Sequence, residues 1–585
     1  MGRRLTMLAF CVSLLLVSCG QKVSKVSYSP EEGTVTIANI GHRYLWIPIE
    51  DKVSSVPVSV NIPEFETGVI FMQMAESQTD YYTAIDLKSK HADTLFLSLE
   101  MPARLEYFAN NLKLSNSLPS ISVKKSSVHF CPTSNWINDP NGMVYLDGEY
   151  HLFYQSNPVG AKWGNMTWGH AVSRDLISWI ELAPALYPDC IGAIFSGCAV
   201  IDKDNTSGFG ENSMVAIYTA DGQSQVQCLA YSNDNGRTFT KYSSNPVLSS
   251  NNPDFRDPKV FWLEGAQKWI MILAAGNAVE LYSSINLKQW TFESRWGEDY
   301  GIHDGVWECP DLFPVSFEGQ TKWVMLCSVS NYSDRGPTVQ YFVGDFDGHK
   351  FTCDYEKSEI HLLNYGRDFY AAVTWSNVPG GKIVALPWFN NWQYANDIPL
   401  LGRRGQMGLP TELSLHRDMN SNVVLHLTPI QALDSAVSNS IVYNNISIDK
   451  LWNIKQDIPS GGTYSISFDF SDINAQLMVI KLFNDKGEYV DICVNSMENT
   501  IMVDRQNSGR TDFSKKFPSV STAPLEMRDG RLEMLLILGP YTIECFASGI
   551  SISDLLFPEI PYNRISVYTI GGSAQANKII INNYK

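Results

Sequence analysis

Several things are scarce in this chain, and each scarcity removes a class of function. Lys and Arg number 44 against 61 Asp and Glu in 585 residues, a formal net charge of −17. No stretch concentrates the basic residues, which argues against nucleic acid or an acidic membrane surface as partner. The eleven cysteines are scattered, with no Cys-x-x-Cys pair, so few or no disulfides and no metal site are expected. Apart from Leu5 to Val17 there is no long apolar run, and that one is too short to span a bilayer as a helix. What is plentiful is aromatic: 12% of residues, with 15 Trp and 27 Tyr. That content suits a β-rich core and surfaces for stacking sugar rings. A neutral substrate and no cofactor fit this balance.

The start, Met1-Gly2-Arg3-Arg4 and then the apolar run, has the pattern of a secretory signal. Leu16-Val17-Ser18-Cys19 resembles the lipobox of bacterial lipoproteins. That resemblance implies a signal peptide over 1–19, lipidation of Cys19, and an exported protein anchored by lipid to the bacterial outer membrane, on its periplasmic or cell-surface face.

The length calls for roughly two to four folded units. Residues 20–122 alternate as short strands, as in Thr34-Val35-Thr36-Ile37, and read as an N-terminal β domain. Over 126–433 a polar motif followed by two apolar strands recurs five times, starting near Asp139, Ser196, Asp257, Glu308 and Tyr370, at separations of 57, 61, 51 and 62 residues. Units of this length match propeller blades of four strands. Residues 434–585 read as a β-sandwich. The expected fold class is therefore all-β: a five-bladed propeller, a C-terminal sandwich and an additional N-terminal β domain. Closure of five blades brings their leading motifs to one funnel.

Three of those motifs carry acids beside proline: Trp136-Ile137-Asn138-Asp139-Pro140-Asn141-Gly142, Arg256-Asp257-Pro258 and Trp307-Glu308-Cys309-Pro310. Proline stiffens its own backbone and that of the residue before it, so these carboxylates are rigidly aimed. Splitting an acetal needs one carboxylate to attack or to activate water and one acid to protonate the leaving oxygen, about 5 to 5.5 Å apart for retention and about 6.5 to 9.5 Å for inversion. Asp139, with donors from Asn138 and the backbone, is expected to stay ionised and act as nucleophile. Glu308, between Trp307, Cys309 and Pro310, is expected in a weakly polar setting that favours its protonated form, as acid. Asp257, kept ionised by Arg256, suits gripping hydroxyls. All three are expected at equivalent places in their repeats.

As a set these motifs resemble glycoside hydrolase family 32, the fructan hydrolases and invertases. Trp163-Gly164-Asn165-Met166-Thr167-Trp168-Gly169-His170, Phe195-Ser196-Gly197, Asp368-Phe369-Tyr370-Ala371 and Trp388-Phe389-Asn390-Asn391-Trp392 belong to the same likeness. The resemblance implies a fructan or fructo-oligosaccharide substrate, Asp139 as nucleophile, Glu308 as acid/base, and Asp257 stabilising the transition state. It also implies a sugar pocket lined by Trp136, Asn138, Gln155, Trp163, Phe195, Ser196, Arg256 and Trp388. Arg403-Arg404-Gly405 departs from the pattern, leaving out a tryptophan expected at the rim. The N-terminal β domain resembles extra modules of some Bacteroidetes-type levanases. A fructosyltransferase using the same nucleophile, an inverting pentosanase on a similar propeller, and a non-catalytic glycan-binding lipoprotein remain as alternatives at this point.

Overall fold

The structure, a computed structural model, describes residues 25–29, 31–38, 41–87, 94–98, 105–454 and 462–585. The signal segment and Cys19 lie outside the described residues. No helix among them is long and apolar enough to cross a membrane, and their nine cysteines are all free.

Five antiparallel sheets follow one another from Asn135 to Pro429, each beginning with its innermost strand: Asn135–Leu146, Ala193–Asp202, Phe255–Leu263, Trp307–Phe317 and Tyr370–Thr374. Each innermost strand lies against the next, and the fifth lies against the first. The five repeats are thus the five blades of a closed ring. Closure is made by backbone: Ser376, just past the fifth inner strand, bonds Met143 and Tyr145 of the first at 3.0 Å each. The two-residue strand Arg403–Arg404 also joins blade 1, parallel to Asn135 and Trp136.

Apolar residues alternate along the outer strands of each blade and fill the spaces between blades, where they form four of the molecule's buried clusters. This is the result of half-buried strands burying one face against each neighbour. After Ala432–Ser435, two six-stranded sheets pack face to face over a core that includes Ile466, Phe468, Ile492 and Leu536. The sandwich grips the propeller through buried polar contacts. His129 Nε2 meets Glu544 Oε2 at 2.6 Å, and Arg505 pairs with Asp368, whose other oxygen accepts from Tyr394 Oη at 2.7 Å. Asp368 stands two residues before Tyr370, so the sandwich fixes the entry to the fifth inner strand.

The described residues between Lys25 and Ser115 form a five-stranded and a three-stranded sheet around one buried core, with the helix Leu105–Asn111. Arg403 and Arg404 are not at an open rim, as their departure from the family pattern had suggested. Both are buried, and Arg404 holds the Asp51 carboxylate of the N-terminal sheets through two bonds of 2.8 and 2.9 Å.

Candidate active site

The inner strands share one irregularity. In each blade the pairing with the second strand slips by one residue, so that the inner strand carries a bulge. By register, Asn141, Ile194, Arg256, Glu308 and Tyr370 are equivalent. The residue after four of these has positive φ: Gly142 (53°), Asp257 (61°), Cys309 (47°) and Ala371 (52°). At Gly142 only glycine fits, since a Cβ there would approach Phe153 to 2.5 Å. Bulges re-aim side chains at strand ends, and here they turn them toward the axis.

The three acids are therefore not at equivalent places, contrary to the expectation from sequence. Glu308 sits at the common register position, Asp257 one residue past it and Asp139 two before it, beside a second slip between Tyr154 and Ser156. The offsets let three blades point carboxylates at one spot without superposing them. Cys309 marks the spot: its Sγ lies 3.7 Å from Asp139 Oδ2 and 3.6 Å from Asp257 Oδ2, and its N–H donates to Asp257 Oδ2 at 2.9 Å. Arg256 Nη2 donates to Glu308 Oε1 at 2.9 Å, and its Nε lies 4.0 Å from Asp257. Just below, buried Lys259 ties the third, fourth and fifth blades together by bonding Asp311 Oδ2 at 3.0 Å and Thr374 Oγ1 at 3.1 Å.

Asp139 Oδ2 accepts from Ser196 Oγ at 2.8 Å, while Oδ1 has no hydrogen-bond partner among the described residues. Asn138 is oriented by Trp136 Nε1, which donates to its side-chain oxygen at 2.8 Å and leaves its amide for the carboxylate. Those donors do not keep Asp139 at an ordinary value. Enclosure by protein, then the charges of Asp257 and Glu308, push its carboxyl from 3.8 up to about 7, against the pull of Ser196 and Asn138. Burial likewise raises Asp257 to about 6, although Arg256 opposes it. The expectation that both stay comfortably ionised thus fails, because desolvation in a site shared by like charges outweighs the local donors. For Glu308 the expected weakly polar setting is also absent. Trp307 turns away to donate to the Ile302 carbonyl at 2.7 Å, and the Glu308 carboxylate is bracketed by Arg256 and the Tyr370 hydroxyl.

Of the expected pocket residues, Ser196, Arg256 and Asn138 touch the acids or their neighbours, and Gln155 is buried opposite the Asn138–Asp139 bulge with no hydrogen-bond partner for its Nε2 among the described residues. Phe195 is half-buried, and Trp163, 47% exposed, meets it edge-on at 6.3 Å. Trp136 and Trp388 are wholly buried, packed on each other and on Trp392. Contrary to expectation they form the backing of the pocket and not its surface, since their rings are closed into one buried cluster with Met166, Cys309 and Tyr370. Tyr370, Cys309 and Asn141 were not foreseen. Asn141 braces the turn, donating to the Asp139 carbonyl at 2.8 Å and accepting from Gly197 N–H at 3.0 Å. For Tyr370 the signal was available, since it opens a repeat as Glu308 does.

A cavity of about 830 Å³ between the fifth blade and the sandwich, beside His416, His426 and Phe468, contains none of the three acids.

Such an arrangement of one partly free carboxylate, a second carboxylate braced by arginine and tyrosine, and a third held by backbone is that of an acetal-cleaving site. The description "Glycosyl hydrolases family 32 N-terminal domain" matches residues 129–429, and "Glycosyl hydrolases family 32 C terminal" matches 432–583. The chain belongs to glycosyl hydrolase family 32. It is 42% identical over 473 residues to a levanase of Bacillus subtilis, covering 78% of this chain and 70% of that one. An extracellular exo-inulinase of Aspergillus niger is 33% identical over 509 residues, covering 78% and 94%. Among solved structures, the exo-inulinase of Aspergillus awamori superposes with a TM-score of 0.73 at 31% identity, covering 79% of this chain and 98% of that one. The β-fructofuranosidase of Schwanniomyces occidentalis, complexed with fructosyl-erythritol, also gives 0.73, at 29% identity with 80% and 100% covered. This family 32 member is a glycoside hydrolase.

One consequence of the crowding is a pH dependence. The attacking carboxylate must be ionised, and the enclosed carboxyls hold their protons to about 7 and about 6. kcat/KM is therefore expected to fall as pH drops below about 7, along a limb that belongs to the cluster and not to one group. Initial rates at low substrate concentration across the acid range check this; a profile flat down to about pH 5 contradicts it.

Proposed function

We propose that the protein hydrolyses β-fructofuranosidic bonds of fructans, acting from chain ends and releasing fructose with retention. The observation that carries this reading is the convergence of Asp139, Asp257 and Glu308 around Cys309, with one Asp139 oxygen left unpaired. In the proposed course, Asp139 Oδ1 attacks the anomeric carbon of the fructosyl unit while Glu308 gives its proton to the leaving oxygen. The bond from that carbon to the leaving oxygen breaks, and an ester to Asp139 forms. Glu308, now ionised, takes a proton from water, which attacks the same carbon and frees Asp139. Asp257 accepts hydrogen bonds from fructosyl hydroxyls, and these bonds strengthen as positive charge develops on the ring. Arg256 and Tyr370 hold the Glu308 carboxylate in line through both steps.

The names of the similar proteins, levanase and exo-inulinase, support fructan as substrate. The convergence of the five inner strands on the acids supports a pocket that admits a chain end. Incubation with levan, inulin and sucrose, with products resolved by size over time, tests the reading. Fructose as the sole small early product is expected from levan and inulin, and fructose with an equal amount of glucose from sucrose. Early intermediate oligosaccharides would overturn end-wise action, longer products at high sucrose would point to transfer, and binding of levan without turnover would overturn hydrolysis. We also read Cys19 as a lipid anchor to the outer membrane. Cys19→Ser is expected to move the protein from the membrane fraction to the soluble one, and retention in the membrane fraction would contradict the anchor.

A further inference from the structure

The N-terminal sheets lie outside both family matches, yet they take hold of the segment of blade 1 that carries Trp163. Val159 and Ala161, although part of the propeller, are buried in the N-terminal core with Phe65 and Tyr81. Tyr81 Oη accepts from the Ala161 N–H at 3.0 Å, and Lys162 Nζ donates to the Asp51 carbonyl at 2.8 Å. Asp51 is itself fixed by Arg404. Asn165, in a left-handed turn at φ 48°, acts as a substitute strand for the sheet edge Val69–Met72. Its Oδ1 accepts from the Phe71 N–H at 2.8 Å, and its Nδ2 donates to the Phe71 carbonyl at 2.7 Å.

This clamp sets two half-exposed aromatic side chains on joined segments, Trp163 at 47% and Phe71 at 51% exposure. Along its edge strand Phe71 alternates with buried Ile70 and Met72, so it shares an outward face with exposed Val69, and across the sheet it stands opposite exposed Pro57. Exposed Phe96 lies on the same face two strands away, with Ser59 and Ser98 between. Exposed aromatic rings beside a site on a folded protein mark a binding surface, and the C–H faces of sugar rings pack on aromatic rings.

We infer that the N-terminal sheets are part of the substrate site: they hold the Trp163 segment in place and continue it with the Phe71 face, a platform for fructosyl units beyond the bond being cut. The occupant is the far part of the same fructan chain, because the face is continuous with the segment bordering the pocket. The inference rests on the fructan-hydrolase reading.

Two variants of the full chain test it. Phe71→Ala removes an exposed ring that belongs to no core, and Asn165→Gly keeps the left-handed backbone while removing both bonds to Phe71 together with a 3.0 Å bond to Asn157 Oδ1. With Phe71→Ala, the ratio of kcat/KM on a long fructan oligosaccharide to kcat/KM on sucrose is expected to fall about fivefold, the size of one aromatic contact. With Asn165→Gly, KM for the same oligosaccharide is expected to rise several-fold while kcat stays within about twofold. An unchanged ratio in the first variant overturns the platform, and a fall in kcat alone in the second overturns the holding role. A parent protein that cleaves neither sucrose nor fructan would overturn the hydrolase reading instead. Retardation of parent and Phe71→Ala in a levan-containing gel would then still report on the platform, with equal retardation counting against it.

Discussion

Asp139→Asn is expected to lower kcat/KM on fructans by on the order of 10⁴-fold or more, with the fold intact. Asparagine keeps the shape of the side chain and an oxygen for the Ser196 hydroxyl, which sits 2.8 Å from Asp139 Oδ2, but it cannot attack the anomeric carbon. The same change should stabilise the protein. Because the folded-state carboxyl titrates near 7 and an unfolded one near 3.8, the folded form holds its proton where the unfolded chain has lost it. Below both values the group is protonated in either state and costs nothing. As pH rises from about 4 to about 7 the folded state loses stability, by about 4 kcal/mol at saturation. The asparagine variant should therefore melt higher than the parent at pH 7.5 and equally at pH 3.5, as read by thermal unfolding at the two pH values. Activity near the parent's would remove Asp139 from the mechanism, and a lower melting temperature at pH 7.5 would contradict the account of its crowding.

The second large effect is expected at Glu308. Glu308→Gln retains an oxygen that can accept from Arg256 or Tyr370 but has no proton to give. For natural fructans, whose leaving sugar is a poor one, kcat/KM should fall about 10³-fold, within the usual range for losing a general acid. For an aryl fructoside with an activated leaving group the first step needs little protonation, so kcat/KM should fall about tenfold or less. kcat/KM is the proper quantity, because it reports events up to the first irreversible step and is blind to the slower release that follows. Equal losses on the two substrates would contradict the acid role.

Much of this was legible in the sequence because the informative residues are punctuated by proline and recur at a blade's spacing. The ring and the convergence of Asp139, Asp257 and Glu308 follow from that spacing. The offsets among the acids were not legible, since a one-residue bulge leaves no mark in the alternation of strands that are apolar on both faces. Burial of Trp136 and Trp388 was hidden for a similar reason: a tryptophan on the first inner strand, or on the strand paired with the fifth, looks the same whether it lines the funnel or backs it. The raised protonation of Asp139 arises from burial by the closed ring and then from acids 118 and 169 residues away in sequence, so its nearest neighbours, Asn138 and Pro140, pointed the wrong way. Arg404 pairs with Asp51 across 353 residues, and for that reason the Arg403-Arg404-Gly405 departure looked like a loss at the rim when it is an attachment for the N-terminal sheets.

The division of labour between Asp139 and Glu308 is the central claim, and trapping the intermediate tests it most directly. Glu308→Gln given an activated aryl fructoside should complete the first step and stall at the second, for want of a base to activate water. Acid quenching, proteolysis and mass spectrometry are then expected to find one fructosyl unit esterified to the peptide bearing Asp139. A fructosyl unit on any other residue, or none while the aryl group is released with inversion at the anomeric carbon, would contradict the account.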